Sequence, residues 1–237
     1  MLDLQPSSFE AFEKEARQGN VVPVVRSVLG DLHTPVGTFM RIASKSRYSF
    51  LLESVEGGER IARYSFLGAE PEIVVRGRGF QTFIESNGVT ESVPMPATEW
   101  VRDYFRNRSL ARRSGLVPFA GGAVGYVGYD AAQWFEPALR DDQTQPLDGG
   151  PTDALWMFYR TVIAFDRVKQ RLEIVSIVLT EEAQGSHQRL RELYDEAVAR
   201  TLQLEKEIFE GDAPPARPPI RSQGAKDLNL QSNWTRR

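Results

Sequence analysis

Residues 48–88 read YSFLLESVEGGERIARYSFLGAEPEIVVRGRGFQTFIESNG. Four short runs rich in β-branched and aromatic residues, YSFLLES, IARYSFLG, EIVVRG and FQTFIES, are separated by the turn-forming segments EGGE, AEP and RGRG. The pair Asn87-Gly88, which favours the tight turn of a β-hairpin, follows the last run. The stretch therefore predicts an antiparallel meander of β-strands.

Helices are predicted on the N-terminal side of this meander. Ser7 and Glu10 have the spacing of a capping box, so a first helix should begin there and end near Gln18. Thr34 followed by Pro35 predicts the start of a second helix, with threonine as the cap and proline in the first turn. Between them, the β-branched run VVPVVRSV predicts a strand, and its proline at position 23 indicates an edge strand.

The C-terminal side alternates in the same way between helix and strand. A helix is predicted at about 98–107, and the longest helix, with apolar residues on one stripe, at about 180–209. Residues 118–130, PFAGGAVGYVGYD, predict a strand interrupted by glycines, which we attribute to close backbone packing because no phosphate-binding pattern such as GxGxxG is present. Residues 153–167 and 171–179 predict two long strands joined by a turn. The whole pattern predicts an α+β fold, in which antiparallel β-sheets carry flanking helices.

The composition excludes several classes of function. The 29 basic and 32 acidic residues give a net charge of -3 and are spread over 237 residues, so we expect no nucleic-acid partner. The absence of cysteine excludes disulfides and thiolate chemistry within the chain. The two histidines, His33 and His187, are far apart in sequence and indicate neither a histidine-rich metal site nor a Ser-His-Asp triad.

Membrane association is also not expected. The N-terminal residues MLDLQPSSFEAFEKEA lack the apolar segment of a signal peptide, and no run approaches the roughly 20 apolar residues that cross a bilayer. We therefore expect a cytoplasmic location.

Charged residues at the first predicted hairpin form the candidate site. Alternation along LLES places Glu53 on one face of its strand, and the EGGE turn should bring Arg60 and Arg63 back beside it. A carboxylate, the backbone amides near Ser54 and a guanidinium could then hold a zwitterion, with Glu53 at its ammonium and Arg63 or Arg60 at its carboxylate. An ordinary cross-strand ion pair at the surface is the commoner explanation for such residues, so both interpretations stay open.

Other polar features predict no catalytic group. Arg160 and Asp166 are charged residues within an apolar strand pattern, which indicates an edge position or a buried pair. No two carboxylates are placed in a way that indicates acid/base catalysis.

Three segments carry a resemblance to a known family. LLESVEGGERIARYSFLGAEP (51–71), PFAGGAVGYVGYD (118–130) and FYRTVIAFDR (158–167) resemble, in order and spacing, successive signature blocks of anthranilate synthase component I. The final SNWTRR is similar to the segment that introduces the family's chorismate-binding domain. The resemblance implies an N-terminal domain over 1–210, a Pro-rich linker over 211–231 and the truncated start of the chorismate-binding domain over 232–237.

The resemblance also implies a function. Complete members of the family convert chorismate and ammonia or glutamine to anthranilate and pyruvate in tryptophan biosynthesis. They use Mg²⁺ and a glutamine amidotransferase subunit (component II), and L-tryptophan inhibits them. Carried over to this sequence, Ser54 and Glu53 would hold the inhibitor, and Arg63 would occupy the family's basic position. The chorismate-binding half is missing here, so the chain alone is expected to bind no cofactor, to contain no catalytic residue and to be inactive.

Two alternatives to this function remain. One is the corresponding part of aminodeoxychorismate synthase component I of the folate pathway, because the residues that separate the two enzymes would lie beyond position 237. The other is a non-catalytic amino-acid-binding module that uses the LLES hairpin by itself.

Overall fold

The computed structural model describes residues 3–53, 63–139 and 152–210. Strands in these ranges are β1 (Asp3–Gln5), β2 (Val21–Leu29), β3 (Ser49–Glu53), β4 (Tyr64–Ala69), β5 (Ile73–Arg78), β6 (Gln81–Ser86), β7 (Val89–Val93), β8 (Gly122–Val127), β9 (Ala154–Tyr159), β10 (Thr161–Asp166) and β11 (Arg171–Leu179). The α-helices in the same ranges are α1 (Phe9–Ala16), α2 (Pro35–Ala43), α3 (Ala97–Arg106) and α4 (His187–Phe209). The predicted linker (211–231) and the predicted start of a further domain (232–237) lie outside the described residues.

The strands form two antiparallel sheets. One sheet has six strands in the order β1-β2-β11-β10-β4-β3, and the other has five in the order β7-β6-β5-β9-β8. Helices flank both sheets, so the predicted α+β class with antiparallel sheets is confirmed.

The prediction of one continuous meander over 48–88 was wrong in its connectivity. β3 and β4 form a hairpin in the six-stranded sheet, whereas β5, β6 and β7 form a meander in the five-stranded sheet. Between them the chain changes sheets at Glu70, which has a left-handed backbone (φ 55°), and at Pro71. This AEP segment therefore redirects the chain rather than closing a hairpin, whereas the predicted turn at Asn87-Gly88 does join β6 to β7.

The prediction of one long strand over 153–167 was wrong for a similar reason. The chain bends at Arg160, so that β9 lies in the five-stranded sheet and β10 in the six-stranded sheet. The Arg160 guanidinium donates Nε to Glu72 at 2.8 Å and its two terminal nitrogens to Glu182 at 2.7 and 2.6 Å. Apolar residues stand on both sides of the bend, so residue types alone do not reveal it.

The predicted helices are present with shifted ends. Ser8 rather than Ser7 caps α1, and the helix ends at Ala16, before Gln18. Thr34 caps α2 as predicted, accepting a hydrogen bond from the Gly37 amide at 3.0 Å. The helix predicted from position 180 is divided into a 3₁₀ turn and α4, because Gln184 (φ 49°) and the following glycine (φ 79°) have left-handed backbones.

The prediction that the strand containing Pro23 is an edge strand was wrong, but Pro23 itself lies where the neighbouring strand β1 does not pair with it. β2 lies between β1 and β11, so it is not an edge strand. β1 pairs only with Val25, Arg26 and Ser27, however, and Pro23 lies beyond its end. A proline, which has no backbone N–H, is therefore tolerated there.

The glycines of residues 118–130 allow close backbone packing, as predicted. Gly121 and Gly122 have φ angles of 140° and 125°, which side-chain-bearing residues rarely adopt. A Cβ atom at Gly125 would collide with the Leu155 carbonyl on the neighbouring strand β9.

The six-stranded sheet has two differently covered faces. On the face that we call the helix face, α1, α2 and α4 pack over buried side chains that include Val24, Leu67 and Ile163. On the opposite face, which we call the sandwich face, buried Val162 and Ala164 pack towards the second sheet. Burial of these apolar side chains is the main contribution that holds the layers together.

Replacement of Leu67 by alanine tests the core on the helix face. Leu67 is fully buried among Ile42, Ile163 and Ile174, so Leu67→Ala should lower the free energy of unfolding by about 2–5 kcal/mol. Urea denaturation measures this loss. Leu32→Ala is the control, because Leu32 is 90% exposed, and it should change the value by about 0.5 kcal/mol or less. Equal losses of unfolding free energy in the two variants would contradict the burial of Leu67 in this core.

Candidate ligand site at the β3–β4 hairpin

The β3–β4 hairpin places Glu53 directly opposite Ser65. Side chains opposite each other in an antiparallel pair lie on the same face of the sheet. Ser65 is also opposite Phe165, which belongs to the core of the helix face. Glu53 therefore lies on the helix face, at the end of β3. Ser54 and Arg60, the other candidates at this hairpin, lie outside the described residues.

Glu53 is paired with an arginine that sequence reasoning missed. Its Oε1 atom accepts a hydrogen bond from the Arg167 guanidinium at 3.1 Å, and the same nitrogen donates to the Ser65 hydroxyl at 3.1 Å. The Ser65 hydroxyl lies 3.5 Å from the same Oε1 atom. The two ionic side chains are partly exposed, Glu53 at 28% and Arg167 at 44%, so this cluster is accessible to a ligand.

Arg63 is engaged elsewhere. Its guanidinium donates two hydrogen bonds to the Asp166 carboxylate, at 2.9 and 2.5 Å, and stacks 4.8 Å from the centre of the Tyr64 ring. Asp166 also accepts from the backbone amides of Val168 and Lys169, both at 3.1 Å. Burial would raise the pKa of Asp166, but the hydrogen bonds from Arg63 and from these two amides outweigh it and hold the pKa below its usual value.

The two ion pairs lie on opposite faces of the sheet. Asp166 is opposite Tyr64 in the β4–β10 pairing, whereas Ser65 is the next residue along β4. Alternation therefore directs Asp166, with the Arg63 guanidinium, to the sandwich face, while Glu53 is on the helix face. The structure thus brings Glu53 together with Ser65 and Arg167, and it does not bring Arg63 to Glu53.

This arrangement can bind a cationic group at Glu53. A carboxylate has about four lone-pair positions, and both contacts of Glu53 with described residues use Oε1. An ammonium donor could therefore bind the same carboxylate. The neighbouring Arg167 guanidinium, rather than that of Arg63, is placed to attract an anionic group.

Neither a metal cluster nor a membrane span is found in the described part of the chain. No group of three or more His, Cys, Asp or Glu side chains there could hold a metal ion. Among the described helices, none is long and apolar enough to cross a membrane.

The chain is similar in sequence to several proteins that share the same name. It is 36% identical over 200 residues to "Anthranilate synthase component 1" of Synechocystis sp. (strain PCC 6803), covering 83% of the chain and 38% of that protein. It is 34% identical over 198 residues to the protein of the same name from Acetivibrio thermocellus, covering 82% of the chain and 38% of that protein. The chain thus spans about two fifths of the length of these relatives. No family model matches it.

A solved structure is also similar. The crystal structure of anthranilate synthase component I from Streptococcus pneumoniae TIGR4 matches 74% of the chain and 36% of that protein, with 22% identity and a TM-score of 0.40.

The pairing of Arg63 with Asp166 predicts a pH-dependent loss of stability in Asp166→Asn. The Asp166 side chain is only 1% exposed, and losing its charge-assisted hydrogen bonds should cost about 2–3 kcal/mol at pH 7. Because the folded-state pKa of Asp166 is lowered, its ionised carboxylate stabilises the fold above the unfolded-state pKa. That contribution is lost as the pH falls through the folded-state pKa, so the difference should shrink below about pH 4.

Denaturation with urea at several pH values measures this difference. Asp103→Asn is the matched control, because Asp103 forms a surface pair with Arg106 at 2.5 Å and is 47% exposed. We expect it to change stability by about 0.5 kcal/mol or less at every pH. A difference for Asp166→Asn that stays constant down to low pH would contradict the role of the ionised carboxylate.

Proposed function

The chain belongs to the anthranilate synthase component 1 family, and on that premise we propose that it is the regulatory and scaffold part of an anthranilate synthase. In this proposal it carries one side of a tryptophan feedback site. The observation that carries the site is the Glu53 carboxylate, which is partly exposed and paired with Arg167 at the end of β3. The names of the reported relatives favour anthranilate synthase over aminodeoxychorismate synthase.

We propose that tryptophan binds with its ammonium group at Glu53. The carboxylate can accept the ammonium's N–H groups, and Arg167 supplies a positive charge next to it for the amino acid's own carboxylate. Ser54 directly follows Glu53 in the sequence, and we propose that it contributes to the same site. Arg63 then acts indirectly, through its bonds to Asp166 at the end of the neighbouring strand β10.

The reaction itself is assigned to the complete enzyme. In this proposal, the complete cytoplasmic protein converts chorismate and ammonia to anthranilate and pyruvate, with ammonia from a glutamine amidotransferase subunit. Following the family resemblance, we assign the Mg²⁺ site to the remainder of the enzyme, and no step of the reaction to this chain.

An exposed apolar region around β8 supports the scaffold role. β8 is an outer strand of its sheet, and its residues Gly122–Val127 include no charged side chain. Tyr126, Tyr129 and Phe135, on this strand and just after it, are 50%, 94% and 63% exposed. Uncharged outer strands and clustered exposed aromatics favour contact with another polypeptide segment. We propose that the remainder of the enzyme covers this region.

The division of roles predicts that the chain is inactive by itself. The purified 237-residue chain should form no anthranilate from chorismate, ammonia and Mg²⁺, and should show no saturable heat with L-tryptophan in calorimetry. Mixed with the part of the Synechocystis relative that it does not match, it should restore anthranilate formation, which fluorescence detects. That part alone is the control. Anthranilate formed by the chain alone would contradict the proposed division, and saturable heat would favour a free-standing amino-acid-binding module.

The proposed role of Glu53 predicts weaker feedback inhibition in Glu53→Gln. In the reconstituted enzyme, the tryptophan concentration for half inhibition should rise at least about tenfold, since a charge-assisted hydrogen bond contributes roughly 1.5–3 kcal/mol. Glu91→Gln is the matched control, because Glu91 is an exposed residue of the outer strand β7, and it should leave inhibition unchanged. Equal inhibition of the Glu53→Gln variant and the unmodified enzyme would refute the assignment.

A further inference from the structure

Glu173 is a buried acid in the middle of the six-stranded sheet. It lies on β11 opposite Ser27 of β2 and Ala164 of β10, and only 6% of it is exposed. Since Ala164 belongs to the core of the sandwich face, Glu173 is on that face as well. A glutamate at such a position is unusual unless a partner stabilises its charge.

No such partner is found for Glu173 within the described ranges. Other acids of the sheet are paired, as Asp166 is with Arg63 and Glu53 with Arg167, whereas the carboxylate of Glu173 has no hydrogen bond or ion pair with any described residue. Burial raises the pKa of Glu173, and Asp166 raises it further, while Lys169, Arg171 and Arg113 oppose the shift. The Glu173 carboxylate is therefore free to accept hydrogen bonds from a ligand in the cavity that it lines.

Glu173 lines a cavity of about 160 Å³ that also contains cationic side chains. Arg113 forms one wall and is held in place, because it donates to Glu15 at 2.7 Å and to the Pro23 carbonyl at 3.0 Å. Lys169 and Arg171 line the cavity from the exposed end of the β10–β11 hairpin. Their side chains form no ion pair with the described part of the chain. The cavity thus combines a buried negative charge with two accessible positive charges.

These charges select the class of ligand. A metal ion is disfavoured because a single carboxylate stands among three cations, whereas Ca²⁺ and Mg²⁺ need several oxygen ligands. A simple anion would be repelled by ionised Glu173, and a simple amine would gain nothing from the positive charges of Lys169 and Arg171. A molecule with both an ammonium and a carboxylate satisfies both ends.

We propose that this cavity is a binding site for a small zwitterion, with the ligand's ammonium at Glu173 and its carboxylate at Lys169 and Arg171. The cavity, with a volume of about 160 Å³, has room for a compact amino acid such as glycine or alanine. The site is separate from the proposed tryptophan site, because Glu53 lies on the opposite face of the same sheet.

Titration of the full chain with glycine and L-alanine tests the proposal. In ¹H–¹⁵N NMR spectra, backbone amides around β11 should shift saturably with either amino acid. Methylamine and acetate, which each carry one of the two charges, should bind at least about tenfold more weakly. If glycine causes no saturable shift up to about 100 mM, its dissociation constant is weaker than that of any useful site, and the proposal is overturned.

Substitutions at both ends of the cavity locate the binding. Glu173→Gln should weaken glycine binding at least about tenfold, and the double substitution Lys169→Gln with Arg171→Gln should do the same from the exposed end. Glu91→Gln on β7 is the control and should bind as the unmodified chain does. Unchanged binding in either test variant would overturn the assignment.

The substituted chains also allow folding effects to be separated from binding. Glu173→Gln removes an unpaired buried charge, so its thermal unfolding midpoint should be equal to or above that of the unmodified chain. If it nevertheless fails to fold, the variant at the exposed Lys169 and Arg171 decides the question. A failure of glycine to bind would leave the proposed function unaffected, because in that proposal feedback inhibition by tryptophan depends on Glu53 on the other face of the sheet.

Discussion

The arrangement of the two sheets depends on the ion pairs of one arginine at the point where the chain passes between them. Arg160 stands between β9 and β10, with 18% of its side chain exposed, and it bonds both Glu72 and Glu182. A guanidinium so deeply placed is stable only with well-oriented acceptors, and here two carboxylates supply them. Burial by itself would lower the pKa of Arg160, but its bonds to Glu72 and Glu182 raise that pKa above the usual value. The bonds from Arg160 also lower the pKa of Glu182, although burial opposes this shift.

These contacts connect parts of the chain that are distant in sequence. Glu72 immediately precedes β5 of the five-stranded sheet, and Glu182 lies in the 3₁₀ turn that leads to α4. The bend at Arg160 is therefore joined to β5 of the five-stranded sheet. Through the 3₁₀ turn it is also joined to α4, which covers the six-stranded sheet. Because the bend directs β10 beside β4, it also determines which residues meet at the hairpin of the candidate site.

The pairing of β10 with β4 gives each face of the sheet its own charged group. Arg167 reaches Glu53 on the helix face, and Asp166 holds Arg63 on the sandwich face. Glu173 lies on the sandwich face too, one strand further into the sheet. In the two proposals made above, this one sheet presents a separate ligand site on each of its faces.

Local sequence pattern was sufficient for the α+β class, for the hairpin at LLES, for the helix cap at Thr34 and for the turn at Asn87-Gly88, because each depends on residues close together in the chain. The same pattern failed at Pro71 and Arg160, where the chain changes sheets. A turn signal at Pro71 does not show which strand the chain pairs with next, and apolar residues stand on both sides of Arg160. The pattern predicted that Glu53 lies beside Arg63 or Arg60, whereas the structure pairs Glu53 with Arg167. Arg167 is 114 positions away from Glu53, and only the packing of β10 against β4, a long-range contact with no local signature, brings their side chains together.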